Sequence, residues 1–340
     1  MIKHQRKTYL IGAASALIYA AFIFSFYYLG KIFPNLDLTI NDSLVGGSLS
    51  VMSIGFLVCV PFALGWISIR PLAESRSNNW VTWIFFPWLP VIVSDLVLLL
   101  LCWEGAICIL YALPITFFFA SVGGISAGLY SRRLRNKRAT TICLVMLPLI
   151  VTLTESRLSA PQDIRSVETS IVIHAPVSTI WQNIKSVRAI SPAELRPTWT
   201  HRIGFPRPIE ATLDRDGIGG VRKASFEGGV LFTETITDWQ PDKTIAFSIK
   251  ADTNEIPPST LDEHVTVGGK YFDVLNGRYT IEPRTDSSVV LHLVSNERIS
   301  TDFNWYAGLW TDASMRSLQQ SILEVIQHRC ESGHPTIPPD

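Results

Sequence analysis

Apolar residues follow two patterns along this chain. Up to about residue 158 they form long unbroken blocks, at 9–29, 44–69, 80–103 and 105–130. A helix needs about 20 apolar residues to cross a bilayer core, so each block predicts a membrane span. A fifth block at 139–156 has a shorter apolar core, and it crosses only with Thr154, Glu155 and Ser156 in the headgroup layer. The first block follows Lys3, Arg6 and Lys7 as a signal peptide would. It is too long and lacks a well-placed small-residue cleavage site, so it reads as an uncleaved anchor. After a polar linker at 159–165 the pattern changes to the period-two alternation of strands. Strands are predicted at 167–173, 209–214, 220–226, 230–239, 244–251, 271–282 and 288–296, with Gly, Pro, Asp and Asn clusters between them. Pro176 opens a short helix carrying Val177, Ile180, Trp181 and Ile184 at helical spacing. A long helix from about Asp302 to Cys330 presents Tyr306, Leu309, Trp310, Ala313, Leu318, Ile322, Val325 and Ile326 as one stripe. Residues 333–340 read as a disordered tail. The organisation is therefore a multi-pass helical membrane domain over 1–158 with about five spans, followed by an α+β domain over 166–332.

Composition agrees with a membrane protein and excludes an ordinary soluble one: 47% of the 340 residues are hydrophobic, 17% are charged, and mean hydropathy is +0.25. The formal charge is zero, but residues 1–158 hold 12 Lys+Arg against 6 Asp+Glu, leaving 17 against 23 beyond them. A net −6 in the second half argues against a nucleic-acid partner. Lysines and arginines near span ends stay on the cytoplasmic side. Lys3, Arg6, Lys7, Arg70, Arg76, Arg132, Arg133, Arg135, Lys137 and Arg138 all fall on one side, and the other offers only Lys31. With five spans in the plasma (bacterial inner) membrane, the amino terminus is cytoplasmic and the second domain periplasmic or extracellular. With four, that domain is cytoplasmic.

Within the spans, Asp95 and Glu104 are the ionisable residues, and an ionisable group at depth is a functional candidate. The plain alternatives are an interhelical hydrogen bond for Asp95 and an interfacial place for Glu104. Gly12, Ala16 and Ala20, and likewise Gly124 and Gly128, are spaced for close helix packing, within the bundle or in a homodimer. The cysteines have no metal-ligand spacing, and no cofactor motif is present: the Gly217–Gly220 run lacks the helix a dinucleotide fingerprint needs. Cys102 and Cys108 flank a tight turn where an oxidising compartment would join them.

Several runs in the second half resemble one family. They are Ile171-Val-Ile-His-Ala-Pro-Val-Ser-Thr-Ile-Trp181, Phe232-Thr-Glu-Thr-Ile-Thr-Asp-Trp-Gln-Pro241, Ile245-Ala-Phe-Ser-Ile249 and Gly277-Arg-Tyr-Thr-Ile281, followed by the long terminal helix. Their order and spacing over roughly 165–332 are similar to the START-like superfamily, also called SRPBCC or polyketide cyclase/dehydrase and lipid-transport proteins. The resemblance implies a helix-grip fold, a curved antiparallel sheet around the terminal helix with an apolar cavity between them. It also implies binding of a lipid or other hydrophobic small molecule, and in a minority of members catalysis on it.

Alternation sharpens the reading of that cavity. A three-residue hairpin loop at Glu227, Gly228 and Gly229 puts Ala224 opposite Phe232 and Arg222 opposite Glu234, on the inner face. Phe226, Ile236, Phe247, Tyr279 and Leu291 continue the face, and Trp310 approaches it from the helix. The Arg222–Glu234 pair is either a register-fixing ion pair or a polar anchor for the head of an apolar ligand. Trp199 and His201 lie in a segment where the family often carries a cavity-covering loop. Asp312 either points into the cavity or caps its helix turn toward solvent, the second being favoured slightly, and Glu297 with Arg298 is expected to form a solvated pair. Three functions fit: a membrane-anchored binder of a hydrophobic ligand, in transfer or sensing; a cyclase, dehydratase or hydrolase with Glu234 as general acid or base; or a module that docks a partner protein.

Overall fold

The computed structural model describes residues 2–28, 51–74, 79–133, 138–155, 157–158, 160–252 and 264–332. The start of the second predicted span, the tail at 333–340, and Lys31, Arg76, Arg135 and Lys137 of the charge tally lie outside the described residues. The chain divides into two compact units, Met1–Ala160 and Pro161–Asp340.

The first unit is a helical bundle: α1 (Ile2–Tyr27), α2 (Val60–Glu74), α3 (Trp80–Phe85), α4 (Trp88–Leu100), α5 (Ala106–Arg133) and α6 (Arg138–Glu155). A π turn, Gly55–Cys59, leads into α2. The third apolar block breaks into α3 and α4 at Pro87, which has no N–H to carry the helix through. Four segments are long and apolar enough to cross a membrane, Arg6–Tyr27, Gly55–Ala73, Trp80–Leu100 and Ala106–Ser131; the apolar helix Thr140–Glu155 is shorter. That fifth helix nevertheless runs alongside α1 in the same direction. Tyr19 Oη donates to the Val145 carbonyl (3.0 Å), and one turn-pair further on the Tyr27 and Thr152 hydroxyls share a bond of 2.6 Å. Close packing uses the small residues: a Cβ on Gly12 would lie 2.3 Å from the Ser68 carbonyl, and one on Gly128 would strike the Trp83 ring. These contacts lie within the bundle. No disulfide is formed among the described residues, so the expected Cys102–Cys108 bridge is absent.

The second unit consists of β1 (Asp163–Ile173), α7 (Val177–Lys185), α8 (Trp199–Ile203), β2 (Pro208–Leu213), β3 (Val221–Phe226), β4 (Leu231–Gln240), β5 (Thr244–Ala251), β6 (Phe272–Pro283), β7 (Val289–Ile299) and α9 (Asn304–Ser332). All seven strands pair antiparallel in one curled sheet, in the order β1-β7-β6-β5-β4-β3-β2. On β7, alternation puts Val289, Leu291, Leu293 and Ile299 inside. Val289, Leu291 and Leu293 pack with Ile173, Ile180, Trp181, Ile236, Ile245, Leu323 and Ile326 into the main core.

Two features depart from the sequence pattern. β1 starts at Asp163, so Arg165 belongs to a strand. The buried seam of α9 runs through Gly308, Met315, Gln319, Leu323, Ile326 and Cys330, while Leu309 of the expected stripe is exposed. Gly308 explains the rotation, because a Cβ there would sit 2.8 Å from the Arg165 guanidinium carbon, so this face of α9 lies directly on β1.

Both edge strands take hydrogen bonds from outside the ladder. Val187 and Ala211 exchange backbone hydrogen bonds of 2.7 Å beyond β2. At the β1 edge, Gln319 Nε2 donates to the Val167 carbonyl (3.1 Å) and Gln327 Nε2 to that of Val172 (2.8 Å).

Arg329 ties the segment after α7 to α9. It grips Glu194 with two bonds (2.7 and 3.0 Å) and donates to the carbonyls of Arg188 and Ala189. Arg329 holds the Glu194 carboxyl down to about 2, below its usual 4.5. Arg329→Met is therefore expected to cost about 2–3 kcal/mol in urea denaturation at pH 7. The group's folded pKa is depressed, so the part of the difference that comes from Glu194 persists above about pH 4.5 and is lost as pH falls toward 2, leaving the part that comes from the two carbonyls. A pH-independent loss would assign the effect to packing.

Candidate functional site

The β3–β4 connection is the short turn Glu227–Gly229, and the left-handed Gly228 and Gly229 fix the register. Ala224 stands opposite Phe232, and Arg222 opposite Glu234. Arg222 Nη1 lies 3.0 Å from Glu234 Oε2, with both side chains nearly sealed from solvent. Neither Oε2 nor Arg222 Nε has a hydrogen bond of good geometry among the described residues. The guanidinium carbon stands 5.2 Å from the Phe247 ring centroid and 5.9 Å from that of Tyr279. Phe247 in turn lies flat against Gly277, where a Cβ would meet its ring at 2.7 Å. Burial raises the Glu234 carboxyl above the carboxylate range against the opposing pull of Arg222, and it raises the Tyr279 phenol as well.

Burial along the inner face is graded. Ile236, Phe247, Tyr279, Ile281 and Leu291 are buried under the second half of α9, in the main core. Toward the first half of α9, Phe232 and Phe226 beyond the ion pair, and Ile249 opposite Glu234, are only half-buried, as is Trp310 on the helix. Phe226 and Phe232 meet edge to face at 5.1 Å. The Arg222–Glu234 rung thus marks the boundary between a filled interior and a more open end.

A second charged group stands at that end, and the alternation as read in the sequence missed it. Arg165 grips Asp312 with two bonds of 2.8 Å and reaches Asp163 at 3.1 Å. Asp312 is therefore an ion-pair partner across to β1, in place of the expected solvent-facing cap. Glu297, opposite Arg165 on β7, is fully buried, and both its carboxylate oxygens lack a hydrogen bond of good geometry. Burial raises its pKa to about 7. The expected solvated Glu297–Arg298 pair does not form, because adjacent strand residues face opposite sides of a sheet. Arg298 instead donates to Gly269 and Lys270 carbonyls. Arg165 was legible in principle: the Val167, Thr169, Ile171 alternation continues backward onto it.

The remaining candidates separate. Trp199 is exposed at the start of α8, whereas His201 is buried, its Nδ1 accepting from the Thr198 N–H. Thr200 joins α8 to α9 through Ser317 (3.0 Å). His201, Phe205, Arg207 and Glu227 line a concavity of about 420 Å³. In the bundle, Asp95 is half-buried on α4, and Glu104 accepts a 2.6 Å bond from the Tyr28 hydroxyl.

No protein-family model matches the sequence, and no curated protein matches it. Solved structures similar to the second unit include a START superfamily protein from Mycobacterium smegmatis, with 11% identity, 49% of this chain and 97% of that chain covered, and a TM-score of 0.32. Norcoclaurine synthase from Thalictrum flavum, in complex with dopamine and hydroxybenzaldehyde, is 11% identical over 51% of this chain and 90% of that chain, with a TM-score of 0.31. DynU16, from the dynemicin biosynthetic locus, is 14% identical over 51% of this chain and has a TM-score of 0.31; the match spans 49% of the DynU16 chain. The START-like, helix-grip arrangement that the sequence resembles is the one displayed by residues 163–332, seven antiparallel strands curled around a long terminal helix.

Proposed function

We propose that the second unit binds a lipid-like ligand and that the bundle holds it at a membrane, for transfer or sensing. The observation that carries this reading is the graded inner face, half-buried aromatics at one end and a buried Arg222–Glu234 rung at its floor. Apolar walls would supply most of the affinity, at about 25 cal/mol per Å² buried. The rung would orient the head. Because the pair is neutral overall and leaves the Arg222 Nε donor without a hydrogen bond of good geometry, it suits an uncharged head with an acceptor, such as a hydroxyl. A carboxylate or an amine would leave a charge uncompensated. The parallel course of α1 and α6 supports five crossings. With the amino terminus cytoplasmic by its basic residues, the second unit then stands on the periplasmic or extracellular side.

Native mass spectrometry of residues 161–340, incubated with long-chain alcohols, fatty acids and sterols, tests the proposal. The expected result is a retained alcohol or sterol adduct, lost in the double variant Arg222→Met, Glu234→Leu. Bare protein throughout would overturn it, and a chemically altered ligand would turn the reading to an enzyme.

A further inference from the structure

The first turns of α9 leave Trp305 65% and Leu309 63% exposed. Beside them Lys270 stands 5.0 Å from the Tyr271 ring centroid, and the Tyr271 carbonyl accepts the Ser300 N–H that leads into the helix. The start of α9 is fastened to the incoming chain, since Asn304 Nδ2 donates to the Pro161 carbonyl at 2.7 Å. Asn304 Oδ1 in turn accepts from the Thr301 N–H and hydroxyl. Only residues 156–160 separate Pro161 from Glu155, the last residue of α6. A chain advances at most about 3.5 Å per residue, so Pro161 and the helix start stay within roughly 20 Å of the end of α6.

The geometry points to Trp305 and Leu309 as a docking face for the bilayer that holds this chain's own helices. The inference rests on the bundle spanning a membrane. Tryptophan favours the headgroup level, Leu309 buries hydrocarbon just below it, and Lys270 reaches phosphate while its stem lies on Tyr271. The tether removes most of the entropy cost that a free domain pays to dock, so a small patch suffices. The half-buried Phe226, Phe232 and Ile249 lie at the same end of the sheet, so docking brings the open end of the inner face against the lipid.

The full-length protein in phosphatidylethanolamine/phosphatidylglycerol nanodiscs tests this, with p-benzoylphenylalanine placed singly at Trp305, Phe118 or Asp286. Phe118 is an exposed residue midway along α5. Asp286 is an exposed residue in the β6–β7 turn, at the far end of β7, roughly 35 Å from the helix start at about 3.4 Å per strand residue. After irradiation, lipid adducts are expected by mass spectrometry at positions 118 and 305 and not at 286. An adduct at 118 without one at 305 overturns the docking face and leaves the membrane-spanning bundle standing. Absence at 118 overturns the bundle reading and the docking face with it. Adducts at all three positions show contact without orientation, and overturn the docking face as well.

Discussion

Glu234→Ala is expected to destabilise the second unit by about 3–5 kcal/mol, because it leaves the Arg222 guanidinium buried with no counter-charge. The Arg222 side chain is 4% exposed and lies against the Phe247 and Tyr279 rings. The double variant Arg222→Met, Glu234→Leu removes both charges and keeps the volume, and it is expected to stay within about 1–2 kcal/mol of the wild type or to exceed it. Urea denaturation of residues 161–340 measures both. The contrast between them distinguishes a pair kept for its ligand from one that holds the sheet together. If the double variant falls as far as the single one, the pair is a structural fixture of the β3–β4 register and the anchor reading loses its ground.

Glu297→Gln is expected to leave stability unchanged at pH 4 and to raise it by roughly 3 kcal/mol at pH 9. The carboxyl has a folded pKa of about 7 against a usual 4.5, raised by burial, with Thr311 and Arg165 pulling down and Asp312 pushing up. A raised pKa means the folded state holds its proton longer than the unfolded chain. The stabilisation is complete below about pH 4.5 and is lost as pH climbs through 7, at about 1.4 kcal/mol per unit of difference. Glutamine keeps the shape of the protonated form and has nothing to titrate, so the two stability curves should part between pH 5 and 7. Curves that run parallel across that window would show that Glu297 reaches solvent or a firm partner. The charged groups around it, Arg165 and Asp312, hold each other in a two-pronged pair and leave Glu297 without a full counter-charge.

The strands and the Arg222–Glu234 rung were legible because both rest on period-two alternation and one short turn, which are local. Glu227, Gly228 and Gly229 set the register, and the register sets the pair. Asp312, Glu297 and Arg329 were misread or missed because their surroundings are made by chain segments far apart. Asp312 meets Arg165, and Arg329 meets Glu194, across more than a hundred residues. Charge in the sequence suggests water, and only the fold reveals that a helix lies on top. The first half of the α9 stripe was misjudged for a related reason, while its Val325 and Ile326 are buried as read. A long helix with polar residues in its seam, such as Ser314, Gln319 and Ser321, does not advertise its buried side by hydrophobicity. The fifth helix was uncertain from length alone; its direction beside α1 is a tertiary fact.

The glutamines over the β1 edge bear on crowding. Proteins confined to a membrane surface meet in two dimensions, with the same domain presented at the same height, which favours edge-to-edge strand pairing between copies. Gln319 and Gln327 pin α9 to the backbone of β1, and the Val187 segment pairs with Ala211 beyond β2. Each edge strand is thereby partly engaged by its own chain. If the bundle spans a membrane, that engagement works against strand pairing between neighbouring copies.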